Sequence, residues 1–300
     1  MRVLLFHNPT AGIGDHDRLN LIGTLTDAGH EVIYLNSKQH KLRDHLDRAD
    51  VAMSGGGDGT VANLALQLLD TDVPLAVLPL GTSNNIAHSL DTAFDAEAFA
   101  RALSGAHRCR MEIGIIEGLE DRPVRFVEAV GLGVIASLTL DTTAADLIGD
   151  ARVAKARRKL KKAVEEFEAF DLQLEADGKQ VEGRFLAVEA LLHGYCGPRL
   201  PMVPEADITD GRFELVLVHE ERRLDFASWL HEPEKGAAPI ERVSCECLTF
   251  TWDGDPPLRV DDAFQDKPKK RRKLSLSAGE SAIEVLIPKG GDPRATRAEV

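Results

Sequence analysis

The sequence predicts two domains: an α/β domain with a doubly wound parallel sheet over residues 1–108, then a mainly antiparallel β-sandwich over residues 109–288, with a polar tail over 289–300. Three observations predict this. Short apolar runs alternate with helical periodicity as far as Leu90, the βαβ rhythm of a parallel sheet. The rhythm changes near Gly105-Ala106-His107, after which short strands and turns dominate. Finally, two strand-to-helix turns rich in glycine and small hydroxyl or amide side chains, Ser54–Thr60 and Pro79–Asn85, fall about 25 residues apart. Turns of that kind open at the carboxyl ends of neighbouring parallel strands, where open α/β sheets bind ligands.

Taken in order, Val3–Phe6 is the first strand and ends in the turn His7-Asn8-Pro9-Thr10-Ala11-Gly12. Leu19, Ile22, Leu25 and Thr26 recur at helical spacing, Gly29 stops that helix, and Glu31–Leu35 reads as the second strand. Val51–Met53 delivers the glycine loop, and a mostly buried helix starts at Thr60. Beyond Cys109 the expected strands are Arg110–Ile116, Arg125–Val130, Phe170–Ala176, Phe185–Leu192, Phe213–Val218, Cys245–Trp252 and Ser281–Ile287. Alternation in Phe170-Asp171-Leu172-Gln173-Leu174-Glu175 is the pattern of a half-buried strand.

Four glycines between Ser54 and Thr60 leave a backbone whose N–H groups can close around a large anion. The following helix adds unpaired N–H donors and the positive end of its dipole, a setting that suits a phosphate chain. Asp58 alone in that loop can ionise, and a carboxylate beside phosphates must hold a cation, take a proton or cap the helix. The loop does not fit Gly-x-Gly-x-x-Gly and lacks the lysine of a P-loop.

Gly-Gly-Asp-Gly-Thr at 56–60 followed by Pro-x-Gly-Thr-x-Asn at 79–84 resembles the catalytic domain of the diacylglycerol kinase family, which includes bacterial soluble lipid kinases and sphingosine kinases. The first motif is shared with NAD kinases and 6-phosphofructokinases; the second narrows the choice. The resemblance implies an ATP- and Mg²⁺-dependent kinase with its active site in the cleft between the domains. ATP would be held by Asn8, Pro9, Gly12, Gly55, Gly56, Gly57, Asp58, Gly59, Thr60, Gly81, Thr82 and Asn84. Ala11 and Ile13 depart from the family's Asn-Pro-x-Ser-Gly-base pattern, as do Ala62-Asn63 and Asn85 from residues common beside the two later motifs.

In the second half, Val130-Gly131-Leu132-Gly133 is similar to a family glycine turn. Pro204 to Leu215 is similar to a segment that binds a structural magnesium in bacterial members, which would place the metal at Asp207, Asp210 and Arg212, with backbone carbonyls contributing. The family draws its general base from a late Asp-Gly-Glu. Asp253-Gly254-Asp255 keeps that spelling, whereas Val260-Asp261-Asp262-Ala263 keeps the spacing to the terminal strand and favours Asp261; Asp58 remains a second candidate.

The expected reaction is transfer of the γ-phosphate to a lipid hydroxyl, diacylglycerol-like or sphingoid-like. The alternatives are a NAD or other soluble-metabolite kinase, or a binding protein that has lost catalysis, as Ala62 and Ala263 would allow. A net charge of −13 argues against a general nucleic-acid binder and against constitutive adhesion to anionic lipid. Lipid access then implies transient membrane contact by a cytoplasmic protein that is at most peripheral, since no apolar run approaches a membrane span. The basic stretch Arg152–Lys162 is read either as that contact or as a solvated helix over the β domain, and Lys267–Lys273 as a basic hairpin loop. Cys109, Cys196, Cys245 and Cys247 lack metal-site spacing and read as buried free thiols. A homodimer is left open.

Overall fold

The computed structural model describes residues 1–12, 16–38, 42–92, 95–138, 149–252, 254–265 and 272–288. Ile13, Asp253, the core of the 267–273 basic run and the polar tail lie outside the described residues. The chain divides into two compact units, Met1–Met111 with the stretch from Ala282 onward, and Glu112–Ser281. The expected second domain ran to 288; the structure instead groups the end of the last strand with the first unit.

The first unit contains β1 (Arg2–His7), α1 (Arg18–Asp27), β2 (Glu31–Asn36), β3 (Val51–Gly56), α2 (Asp58–Leu68), β4 (Leu75–Pro79), α3 (Asn85–Ser89) and α4 (Ala96–Leu103). β1 pairs in parallel with β2 and β3, and β3 with β4. The order β2-β1-β3-β4 therefore reverses direction between β1 and β3, which is the switch point where the carboxyl ends of such sheets open a crevice. Leu21 and Leu25 of α1 and Phe99 and Leu103 of α4 share a core with Val3, Leu5, Val51 and Met53. α2, absent from that core and packed on β3 and β4, takes the opposite face.

Two local expectations shift. Leu19 is 71% exposed, and the buried stripe of α1 is Leu21 and Leu25, one helical step round from the predicted face. α2 begins at Asp58 rather than Thr60, because β3 runs on through Ser54-Gly55-Gly56 and Gly57 serves as the N-cap without a side chain.

β5 (His107–Glu117) leads into the second unit, which continues with β6 (Val124–Phe126), β7 (Ala129–Gly133), α5 (Gly149–Glu166), β8 (Phe170–Ala176) and β9 (Lys179–Leu191). There follow β10 (Tyr195–Cys196), β11 (Leu200–Pro201), β12 (Phe213–His219), α6 (Arg223–Trp229), β13 (Glu241–Cys245), β14 (Cys247–Trp252), β15 (Leu258–Val260), β16 (Ala263–Gln265) and β17 (Arg272–Ile287). The pairings β7·β9, β8·β9, β8·β14, β9·β12, β12·β13, β14·β17 and β7·β15 are all antiparallel. Long β9 meets β8 with its first half and β7 and β12 with its second, so it belongs to both layers of the sandwich. Inward residues such as Phe126, Val188, Phe213, Phe250 and Trp252 fill the space between the layers. The outer face of β9 and β12 is covered by Val164 and Leu160 of α5 and Phe226 of α6.

β17 does not end as a sandwich strand: Val285 pairs with Leu75 of β4 in parallel, and Leu286 joins the core of the first unit. Cys245 and Cys247 lie on different strands, the first buried and the second exposed, and Cys109 is half-buried, so only Cys196 and Cys245 meet the expectation of buried thiols. In α5, Val153, Leu160 and Val164 are buried, and the guanidinium of Arg157 donates to the carbonyls of Pro198 and Arg199 and to Glu234. Part of the basic run thus fastens the helix to its own unit.

Candidate active site

The loops after β1, β3 and β4 converge at the carboxyl edge of the first unit because the strands that deliver them are hydrogen-bonded neighbours. Asn8 N–H donates to the Gly55 carbonyl at 2.9 Å, and Leu80 N–H to the Gly56 carbonyl at 3.0 Å. Glycine is required where they touch. A Cβ on Gly81 would fall 2.3 Å from the Gly57 Cα, and one on Gly12, whose φ is +58°, would fall 2.7 Å from the Leu80 oxygen. No other residue allows three backbones so close together.

Side chains then lock the loops. Asn84, itself left-handed at φ 52°, accepts from Gly81 N–H at 2.9 Å and donates back to the Gly81 carbonyl at 3.1 Å. Thr60 is buried, folds over Gly56, and accepts from Asn8 Nδ2 at 3.4 Å. Asp58 is 8% exposed; its Oδ1 accepts the Ile86 N–H at 3.0 Å and so joins the first turn of α2 to that of α3. Gly57 O takes the N–H groups of Thr60 and Val61, so those two amides are already used within this helix start.

Beneath the first loop lies a polar chain that the sequence did not reveal. His16 Nε2 is 3.1 Å from the Ala11 carbonyl, His7 Nε2 is 2.9 Å from His16 Nδ1, and His7 Nδ1 is 3.0 Å from the Tyr34 hydroxyl. A carbonyl only accepts, so His16 Nε2 carries a proton; in the neutral ring Nδ1 then accepts, His7 Nε2 donates, and Tyr34 donates to His7 Nδ1. Burial lowers His7 to about 4 and keeps it neutral in that role. Arg18 lies over the Tyr34 ring, 4.4 Å from its centroid.

In the second unit, Asp261 follows β15 with φ 49° and turns its carboxylate onto the start of β7. Oδ1 accepts from Glu128 N–H at 2.7 Å, Val127 N–H at 3.1 Å and Ala129 N–H at 3.2 Å, and Oδ2 from Val127 N–H at 3.0 Å. Burial raises its affinity for a proton, and the three amides oppose that. Oδ1 is saturated, so Oδ2 is the oxygen through which Asp261 can take a proton.

Around it stand groups missed in the sequence. Glu189 is fully buried, neither of its oxygens has a partner, and burial pushes it up to about 7, with Arg259 opposing. It fits because Gly131 has no side chain: a Cβ there would lie 2.1 Å from Glu189 Oε2. His193 is also fully buried and lowered to about 4 by loss of solvent. The available signal was an acid inside the apolar run Phe185–Leu192.

The expected metal positions divide. Asp207 Oδ1 accepts from the N–H and hydroxyl of Thr209, and Asp210 Oδ1 accepts from Arg212 N–H. The Arg212 guanidinium, a cation that cannot ligate a metal, bonds Ser244, Glu246 and Asp177, so any part this residue has in a metal site falls to its carbonyl. Among the described residues no group of three His, Cys, Asp or Glu side chains is arranged to hold a metal. Two carboxylates with backbone carbonyls and waters still fit a hard ion such as Mg²⁺.

A glycine-lined crevice at a sheet switch point, with an acid fixed at a helix start, is a place for a phosphate-bearing ligand. Residues 2–116 match the diacylglycerol kinase catalytic domain, and residues 134–248 match the YegS C-terminal NAD kinase beta sandwich-like domain. The chain thus combines a diacylglycerol kinase catalytic domain with a YegS-type C-terminal domain. It is 24% identical over 240 residues to a diacylglycerol kinase of Bacillus subtilis, covering 75% of this chain and 76% of that one. It is 24% identical over 232 residues to a diacylglycerol kinase of Staphylococcus aureus, covering 73% and 71%. Among solved structures, a candidate diacylglycerol kinase from Bacillus anthracis aligns with a TM-score of 0.75 at 17% identity, covering 97% of this chain and 98% of that one. An NAD kinase from Archaeoglobus fulgidus in complex with ATP aligns at 0.52 and 17%, covering 96% and 94%.

Proposed function

We propose that the protein transfers the γ-phosphate of ATP to the hydroxyl of a lipid, diacylglycerol-like or sphingoid-like. The observation that carries the nucleotide half of this reading is the Gly57–Gly81 contact, which places two backbones at the carboxyl ends of β3 and β4 too close for any side chain. In this reading Gly55–Thr60, Gly81 and Thr82 face the phosphates. Asn8, Pro9 and Gly12 shape the first wall, and Asn84 holds Gly81 in place. Bound Mg²⁺ would offset phosphate charge during transfer. Asp58 fixes the two helix starts and presents negative charge to that cation. Asp261, a carboxylate made more basic by burial, takes the acceptor's proton through Oδ2. Asp207 and Asp210 would hold a structural cation away from the chemistry.

The lipid acceptor is supported by the pairing of the two family domains and by the relatives named above, whereas an NAD kinase shares the fold alone. A screen with radiolabelled ATP separates the readings. Label entering diacylglycerol or a sphingoid alcohol in mixed micelles supports a lipid kinase; label entering only NAD or another soluble alcohol overturns it.

A further inference from the structure

The three loops that form the crevice, Asn8–Gly12, Ser54–Thr60 and Pro79–Asn85, contain no lysine, arginine or histidine, and their one ionisable side chain is the acid Asp58. Backbone N–H groups and a helix dipole supply only partial charges to a ligand that carries several full negative ones. Beside a bound metal ion, a side-chain cation from elsewhere in the first unit would add a full positive charge. The structure brings one there. Lys38 lies just past the carboxyl end of β2, and its ammonium donates to Thr10 Oγ1 at 2.6 Å.

This placement is built by the backbone. Ser37 N–H donates to the His7 carbonyl at 2.8 Å, extending the β1·β2 ladder by one rung, and Lys38 N–H donates to Asn36 Oδ1 at 2.9 Å. Both bonds fix where the lysine leaves the chain. Its target is part of a relay: Thr10 Oγ1 donates to Asn8 Oδ1 at 2.9 Å, and Asn8 Nδ2 donates to Thr60 Oγ1. The ammonium therefore sits at the outer end of a polar line that runs from β2 through the first loop to the first turn of α2. An exposed lysine on a flexible stem ordinarily keeps its charge in water.

We infer that Lys38 is a phosphate-binding residue of the nucleotide site, its ammonium exchanging Thr10 for an oxygen of the triphosphate. This rests on the reading of the crevice as an ATP site. As a point charge with three donors, lysine suits a phosphate oxygen, and a charged hydrogen bond of this type changes affinity by about ten- to a hundredfold.

The test is calorimetric titration of the full chain with ATP and separately with adenosine, in wild type, Lys38→Ala and Lys38→Arg, with melting temperatures recorded for each. The expected result is ATP affinity at least about tenfold weaker in Lys38→Ala, largely restored in Lys38→Arg, with adenosine binding and melting temperature unchanged. Equal ATP affinity in wild type and Lys38→Ala overturns the role of Lys38 and leaves the ATP site standing. A parallel loss of adenosine binding also overturns it, since the lysine would then act on the fold of the site rather than on phosphate. Absence of ATP binding in wild type overturns both.

Discussion

The carboxylate of Asp58 accepts the backbone N–H of Ile86 at 3.0 Å, so the acid of the first glycine motif is also the fastener of the second. Asparagine can keep that acceptor while losing the charge; alanine loses both. Asp58→Asn is expected to fold with little change in stability and to lose at least about a hundredfold in turnover, the charge it presents to a phosphate-bound cation being gone. Asp58→Ala should in addition lose about 1–3 kcal/mol, because the buried Ile86 N–H is left unpaired. Turnover assays and urea melts on both variants check this, and wild-type turnover in Asp58→Asn would remove the acid from the mechanism.

Gly81→Ala puts a methyl 2.3 Å from the Gly57 Cα and 2.7 Å from Asn84 Oδ1. The Gly57 Cα is backbone and cannot swing aside, so the two loops must part. ATP affinity is expected to fall by more than about tenfold while far-UV circular dichroism stays that of wild type, because strands β3 and β4 remain paired below the loops. Gly29→Ala is the control, at a position whose Cβ meets nothing, though its φ of +85° adds backbone strain. It should leave ATP affinity unchanged.

Asp261→Asn separates binding from chemistry. Its amide oxygen can take the place of Oδ1 and keep the Glu128 N–H, while its amide nitrogen cannot accept the Val127 N–H that Oδ2 now takes. The expected result is loss of turnover with ATP affinity retained, read by parallel assay and titration. A variant that turns over at the wild-type rate would return the base to another carboxylate.

Glu189 gives a pH dependence of definite sign. Its folded value of about 7 lies above the 4.5 of a free glutamate, so between those values the folded state binds more protons than the unfolded one. Stability from this group therefore declines as pH rises from about 4.5 to 7, by at most about 3 kcal/mol. Glu189→Gln should remove that decline and be more stable than wild type at pH 8. Denaturant melts at pH 5 and pH 8 measure it; an unchanged pH slope would show that the carboxyl is not titrating in the fold.

His7 and His193 act oppositely. Both titrate near 4 when folded and near 6.5 when unfolded, so the folded state binds fewer protons in that window. The stability they give is full above about pH 6.5 and is lost as pH falls towards 4. His7→Gln is expected to flatten the acid limb of melts taken from pH 7 to pH 4.5, and to loosen the first loop, because Tyr34 and His16 lose the ring between them.

The sequence displayed the parts of this account that depend on short-range rules. Glycine clusters between an apolar run and a helical run located the strand-to-helix turns that fall within 54–60 and 79–85, and the expected bounds of β8 match to the residue. Other parts depend on contacts far apart in the chain. The return of β17 to β4 pairs Val285 with Leu75, and no local pattern distinguishes an apolar sandwich strand from one that ends in a parallel sheet. Likewise Lys38 reaches Thr10 across 28 residues, and Asp261 reaches Val127 across 134. The phase of α1 was missed because Leu19, Leu21, Ile22 and Leu25 allow two overlapping stripes, and only packing against Phe99 and Val3 selects one.

The central claim is that the glycine loops of β3 and β4 together hold the phosphates of ATP. Calorimetric titration of wild type and Gly81→Ala with ATP and Mg²⁺ tests it most directly. One saturable site in wild type, weakened more than about tenfold by the single methyl, is the predicted result. Equal affinity in the two proteins, or none in wild type, would contradict it.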